Sequence, residues 1–128
     1  MAEGIPILII EDDKFLSSLL KGRIEKDGFR VIQAFNGEDA LALLQQEKPS
    51  LIILDLVMPK MSGFEVLQAM SIDPQLNQIP VVVASNLGQD SDIEKAKGLG
   101  AKDYFVKMRM SVDELVGKIR EIIAGNPQ

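Results

Sequence analysis

Glu11, Asp12 and Asp13 stand in a row directly behind the apolar run Ile7 to Ile10, and Asp55 closes a second apolar run, Leu51 to Leu54. If the two runs are neighbouring strands, Glu11, Asp12 and Asp55 meet at their carboxyl ends, and the carboxylates repel. Two unit charges about 4 Å apart cost roughly 4 kcal/mol at an effective dielectric of 20, so such a cluster calls for a compensating cation. The chain has no Cys and no His, which removes thiolate and imidazole ligands. An oxygen-only donor set suits a hard ion, and Mg2+ takes one or two carboxylates, keeps waters and shares itself with a phosphate. The plainer use of an acid after a strand is to cap the next helix, and Asp13 sits where that cap falls. On spacing alone both uses stay open for the other three.

The positioning elements are five short apolar runs alternating with segments of helical period, the pattern of a parallel sheet covered by helices on both faces. The runs are Ile7 to Ile10, Phe29 to Ala34, Leu51 to Leu54, Val81 to Ala84 and Tyr104 to Val106. The first, third and fourth are almost wholly apolar, as strands buried on both faces must be. The second and fifth carry or adjoin polar residues and belong at the edges. Right-handed crossovers then give a doubly wound α/β fold of order 2-1-3-4-5, flavodoxin-like. Its ligand crevice lies at the ends of strands one and three.

Helix signals fill the gaps. Leu16, Leu19, Leu20 and Ile24 keep helical spacing before Gly28, which suits a left-handed stop. Asn36 caps a second helix bearing Ala40, Leu41, Leu43 and Leu44, with Pro49 blocking its extension. A third follows Ser62 and Gly63 and uses Val66, Leu67 and Met70. Ser91 with Glu94, and Ser111 with Glu114, have the capping-box spacing and place the starts of helices four and five there. Val112, Leu115, Val116, Ile119, Ile122 and Ile123 make the apolar stripe of the last helix. The tail from Gly125 to Gln128 is expected to fray.

With 128 residues, 46% of them hydrophobic, residues 1–128 make one domain with a real core. The formal net charge of −5 has the wrong sign for neutralising phosphates along a duplex, which argues against direct nucleic-acid binding. No apolar run is long enough for a membrane span or a secretory signal, so the expected compartment is the cytoplasm. No Gly-rich turn follows strand one, which disfavours a dinucleotide site.

Glu11-Asp12-Asp13, the stretch Asp55-Leu56-Val57-Met58-Pro59 with Ser62-Gly63 beyond it, Ser85 ending strand four and Lys107 ending strand five together resemble the receiver domain of bacterial two-component response regulators. The resemblance is to the single-domain, chemotaxis-regulator-like kind and covers about Ile5 to Ile123. It implies a phosphorelay protein that accepts a phosphoryl group from a histidine kinase onto Asp55 with Mg2+ and signals by changing conformation. Asp12 would be a direct metal ligand, Glu11 would act mainly through water, and the Val57 backbone carbonyl would complete the protein ligands. Lys107 would supply fixed positive charge, Ser85 would turn its hydroxyl to the phosphoryl oxygen, and Tyr104 would be the aromatic that moves with it.

Implied partners are a sensor histidine kinase or phosphotransfer protein and a downstream target met through helix four, Tyr104 and helix five, with a homodimer also compatible. The chain is then no enzyme beyond promoting its own phosphorylation and dephosphorylation. Two other readings compete: a receiver-like adaptor that works without phosphorylation, and a small Mg2+ phosphohydrolase using Asp55. The second needs an acid two residues past the nucleophile, where Val57 stands.

The chain departs from the family in two places. Met108 follows Lys107 where the family usually has Pro, so a trans Lys107-Met108 bond and an altered loop are expected, since a cis bond before a non-proline residue costs about 2.5 to 4 kcal/mol. Asn86 is larger than the usual small residue beside Ser85, and would narrow access to Asp55 or hydrogen-bond the phosphoryl group. Val57 and Leu87, two beyond Asp55 and Ser85, cannot hold a hydrolytic water, which implies slow self-dephosphorylation. Met108, Met110 and Leu87 are candidates for an adaptable apolar contact area or for simple gap filling.

Overall fold

In a computed structural model that describes residues 4–125, five strands alternate with five helices. They are β1 (Pro6–Ile10), α1 (Lys14–Lys26), β2 (Arg30–Ala34), α2 (Gly37–Leu44), β3 (Leu51–Leu54), α3 (Gly63–Ser71), β4 (Val81–Ser85), α4 (Asp90–Gly98), β5 (Asp103–Val106) and α5 (Val112–Ala124). A 3-10 turn at Lys107–Arg109 joins the last two. The sheet is parallel throughout and ordered β2-β1-β3-β4-β5, as the apolar pattern predicts. The central strands are buried along nearly their whole length, because helices cover both faces.

Alternation along each strand divides the core. Leu8, Ile10, Ile52, Leu54, Val81 and Val83 face a layer closed by α2, α3 and α4. Ile7, Ile9, Leu51, Ile53, Val82 and Ala84 face a second layer closed by α1 and α5. A buried Leu or Ile side chain is worth about 1.5 to 3 kcal/mol, and every residue of β1, β3 and β4 facing either layer adds to this. Register is fixed as a result, since a one-residue slip would exchange the two layers.

The helix ends follow the expected chemistry with one exception. Asp13, Asn36, Ser62 and Ser111 each accept a backbone N–H in the first turn of α1, α2, α3 and α5. Ser62 with Glu65 and Ser111 with Glu114 form complete capping boxes. The Ser91–Glu94 pair does not: α4 starts at Asp90, with Gln89 as its cap residue and no side-chain cap bond. Ser91 lies inside the first turn, where Asp90 and Asp92 complement the helix dipole instead. Gly28 has φ +94° just past α1, the left-handed stop expected there. α2 ends at Leu44, well before Pro49, so the proline is not what stops it. Of the tail, residues 126–128 lie outside the described residues, and Gly125 caps α5.

A candidate phosphoacceptor and metal site

β1 and β3 pair with Ile10 opposite Leu54, and the ladder runs one residue further, with the Asp55 N–H donating to the Ile10 carbonyl at 2.9 Å. That single extension brings Asp55 beside Glu11. Carboxylate oxygens of Glu11, Asp12 and Asp55 lie within 4.8 Å of one another. Glu11 and Asp55 are buried, 3% and 6% exposed, while Asp12 faces solvent. Asp13 points elsewhere and accepts the Leu16 N–H at 3.1 Å as the cap of α1. Spacing left the two uses open, and the fold separates them.

Lys107 closes the site from β5. Its ammonium donates to Glu11 Oε1 at 2.5 Å and lies 3.5 Å from Asp55 Oδ2. The lysine reaches the acidic pair with no proline behind it: no peptide bond among the described residues is cis, as expected for Lys107-Met108, and Lys107–Arg109 form a 3-10 turn leading to α5. Burial, chiefly, and the neighbouring Asp55 charge push the Glu11 carboxyl above its ordinary value, against the opposing pull of Lys107. One ammonium does not offset two buried carboxylates, and an all-oxygen cluster still short of positive charge fits a hard divalent cation.

The loop after Asp55 is built to let α3 approach. Asp55 Oδ1 accepts the Val57 N–H at 3.4 Å, Pro59 and Met61 close a turn around Lys60 at φ +69°, and the Gly63 N–H returns to the Leu56 carbonyl at 2.9 Å. A Cβ on Gly63 would fall 2.3 Å from the Asp55 carbonyl oxygen and 2.8 Å from Leu56 Cα. Only glycine allows that contact, so Gly63 both starts α3 and lets it approach β3, a close approach that no local sequence pattern signals.

Ser85 is fully buried at the end of β4, and its hydroxyl accepts the Leu87 N–H at 3.3 Å. Tyr104 lies inward, its hydroxyl donating to the Leu87 carbonyl at 2.5 Å. Burial, then Asp92, raise the Tyr104 pKa above its usual value. Asn86 is exposed. Met108, Met110 and Leu87 do not share a surface. Leu87 packs into the α2-α3-α4 layer and Met110 into the α1-α5 layer, and only Met108 is free, at 84% exposure. The sheet itself stands between the other two.

The response regulator receiver domain profile matches residues 7–120. The chain belongs to the receiver domain family of response regulators. It is 36% identical to protein PilH of Pseudomonas aeruginosa over 93% of this chain and 98% of PilH. The phosphorylated cyanobacterial phytochrome response regulator RcpA superposes with a TM-score of 0.85 at 30% identity, covering 98% of this chain and 97% of that one. The Mn2+-bound response regulator Rcp1 gives 0.78 at 32% identity, covering 91% and 90%. The chain spans about half the length of the transcriptional regulators it also matches.

As a receiver domain, this protein is a phosphoacceptor of a two-component system. Receiver domains are in general signalling modules without enzymatic activity, and the family works with histidine kinases or phosphotransfer proteins and downstream targets. Its acidic cluster can hold a metal ion, and Mg2+ is the ion receiver domains use. No helix among the described residues is long and apolar enough to cross a membrane.

Proposed function

We propose that Asp55 is the phosphorylated residue and that Glu11, Asp12, Asp55 and the Val57 carbonyl hold Mg2+. The observation that carries this reading is the gathering of three carboxylates within 4.8 Å with the Lys107 ammonium 3.5 Å from Asp55. An Asp55 carboxylate oxygen attacks phosphorus, the bond from phosphorus to the donor's imidazole nitrogen breaks, and its electron pair leaves with the imidazole. Mg2+ held by these residues would supply charge screening for both partners. Lys107 is positioned to meet the negative charge gained by the incoming phosphoryl oxygens, and it lines a small cavity with Leu16, Leu20 and Phe105 of the α1-α5 layer. Catalysis of this kind is positioning and electrostatics. Asp12, exposed and unencumbered, is the direct ligand. Glu11, tied to Lys107 and to the Asp13 N–H at 3.1 Å, is better placed to act through water.

Ser85 and Tyr104 form the responding pair, and both already meet at Leu87. The signal leaves through α4, β5 and α5 to a partner protein, and a homodimer through that face is compatible with it. The protein works in the cytoplasm as one domain. The test is incubation with acetyl phosphate and Mg2+, followed by intact-mass measurement. Wild type gains one phosphoryl group only with Mg2+, and Asp55→Asn gains none. Equal labelling of Asp55→Asn would move the acceptor elsewhere, and no labelling of wild type would favour an adaptor.

A further inference from the structure

Gly88 does not adopt a left-handed backbone, so its lack of a side chain serves something else. A Cβ there would lie 3.1 Å from Arg109 Nη2, 3.5 Å from Arg109 Cζ and 3.5 Å from Val106 Cγ1. The Arg109 guanidinium therefore lies against the backbone of the loop after β4. Among the described residues it makes no ion pair, so charge pairing does not hold it there. A guanidinium is planar, weakly hydrated and rigid, whereas the ammonium of lysine is a compact, strongly hydrated point charge.

The loop after β4 runs from Asn86 to Gln89. Asn86 and Gln89 are exposed, and Gln89 gives α4 no side-chain cap. Its middle residue, Leu87, donates to the Ser85 hydroxyl and accepts from Tyr104, and Gly88 comes next. The register of β3 and β4, Leu54 opposite Val83, brings Ser85 to the same end of the sheet as Asp55. Arg109 belongs to the same short turn as Lys107, which binds the acidic pair. One turn thus touches the carboxylates through one side chain and the Ser85 loop through another.

We propose that Arg109 is a positioning residue for phosphoryl transfer: laid on Gly88, its guanidinium holds the loop after β4 so that Leu87 fixes the Ser85 hydroxyl. This rests on the reading that Asp55 accepts the phosphoryl group and Ser85 meets its oxygen. The experiment compares labelling rates with acetyl phosphate and Mg2+ for wild type, Arg109→Ala, Arg109→Lys, Ser85→Ala and the Arg109→Ala/Ser85→Ala double variant. Arg109→Ala is expected to label about 5-fold more slowly, with the Mg2+ concentration for half-maximal rate unchanged and no added loss in the double variant. Arg109→Lys, which keeps the charge and loses the planar group, is expected to be as slow as Arg109→Ala. Gly88→Ala, which crowds the guanidinium, should slow labelling in the same direction. A full rate for Arg109→Ala, rescue by Lys, or multiplicative losses in the double variant each overturn the proposal while leaving Asp55 as acceptor. Failure of wild type to label removes the reading beneath it as well.

Discussion

Glu11 and Asp55 are buried carboxylates facing one ammonium, and this imbalance sets what single substitutions do. Like charges within 4.8 Å cost roughly 3 kcal/mol at an effective dielectric of 20, part of it returned by Lys107. Asp55→Asn is therefore expected to stabilise the metal-free protein by about 1 to 2 kcal/mol, read as a higher melting temperature. Mg2+ at about 100 times its dissociation constant should add about 2.7 kcal/mol to wild type by mass action and little to Asp55→Asn. Glu11 gives the pH dependence. Its folded-state pKa is raised, chiefly by burial, so the folded state binds more protons than the unfolded one as the carboxyl ionises. Stability of the metal-free protein is then lost as pH rises from the ordinary glutamate value of 4.5 through the raised one, and Glu11→Gln should flatten that slope in urea titrations. Val57 is 58% exposed beside Asp55, whereas Leu87 is packed into the core. Val57→Asn is thus the cleaner variant for testing slow hydrolysis. It should shorten the lifetime of the phosphorylated protein several-fold, and an unchanged decay would show that the missing water-holding side chain is not the cause.

At the scale of elements, caps and close contacts decide. The Ser111–Glu114 capping box starts the helix that follows Lys107, and Ser111→Ala should cost about 1 kcal/mol in chemical denaturation. Hydrogen bonds to Ser111 hold the Glu114 carboxyl below its ordinary value. The support from this box is therefore present above pH 4.5 and fades as pH falls through the lowered value, the opposite sense to Glu11. Gly63→Ala is expected to be far worse than a helix-start alanine usually is. Its methyl would enter the Asp55 carbonyl, and separating α3 from β3 should both destabilise the fold and disturb Mg2+ binding. Gly22, inside α1 with open space around it, gives the contrast: Gly22→Ala should add about 0.5 to 1 kcal/mol. The same residue type is indispensable at one helix and a loss at another because of what stands next to it.

Across the whole molecule, one sheet serves two core layers. Alternate residues of β1, β3 and β4 feed each layer, so neither can melt while the other stays packed. Tyr104 is the sole tyrosine of a chain without tryptophan and reports from the α2-α3-α4 layer. Its fluorescence and the far-ultraviolet circular dichroism should therefore give coincident urea transitions, and separated midpoints would show the layers to be independent. The coupling also bears on signalling. The acidic pair, Lys107, Ser85 and Tyr104 all stand at or beside strand ends of this shared sheet. On the proposed reading, a rearrangement at Asp55 passes through the loop after β4 to Tyr104 on β5 and so to the α4-β5-α5 face.

Much of this was legible in the sequence, because burial on both faces demands nearly unbroken apolar strands and leaves a pattern that strand order follows from. Leu51 to Leu54 ending in Asp55, and Ile7 to Ile10 ending in Glu11 and Asp12, placed the acidic cluster before any coordinates did. The absence of Cys and His left an oxygen-only donor set, which favours a hard ion. Side-chain neighbours across the chain carry no such periodic mark. The reach of Lys107 to Glu11 without its usual proline, the failure of Ser91 to cap α4, the separation of Leu87 from Met110 and the seating of Arg109 on Gly88 all depend on packing between distant segments. Those contacts are decided by the volume each layer leaves at its rim, and only the folded chain has a rim.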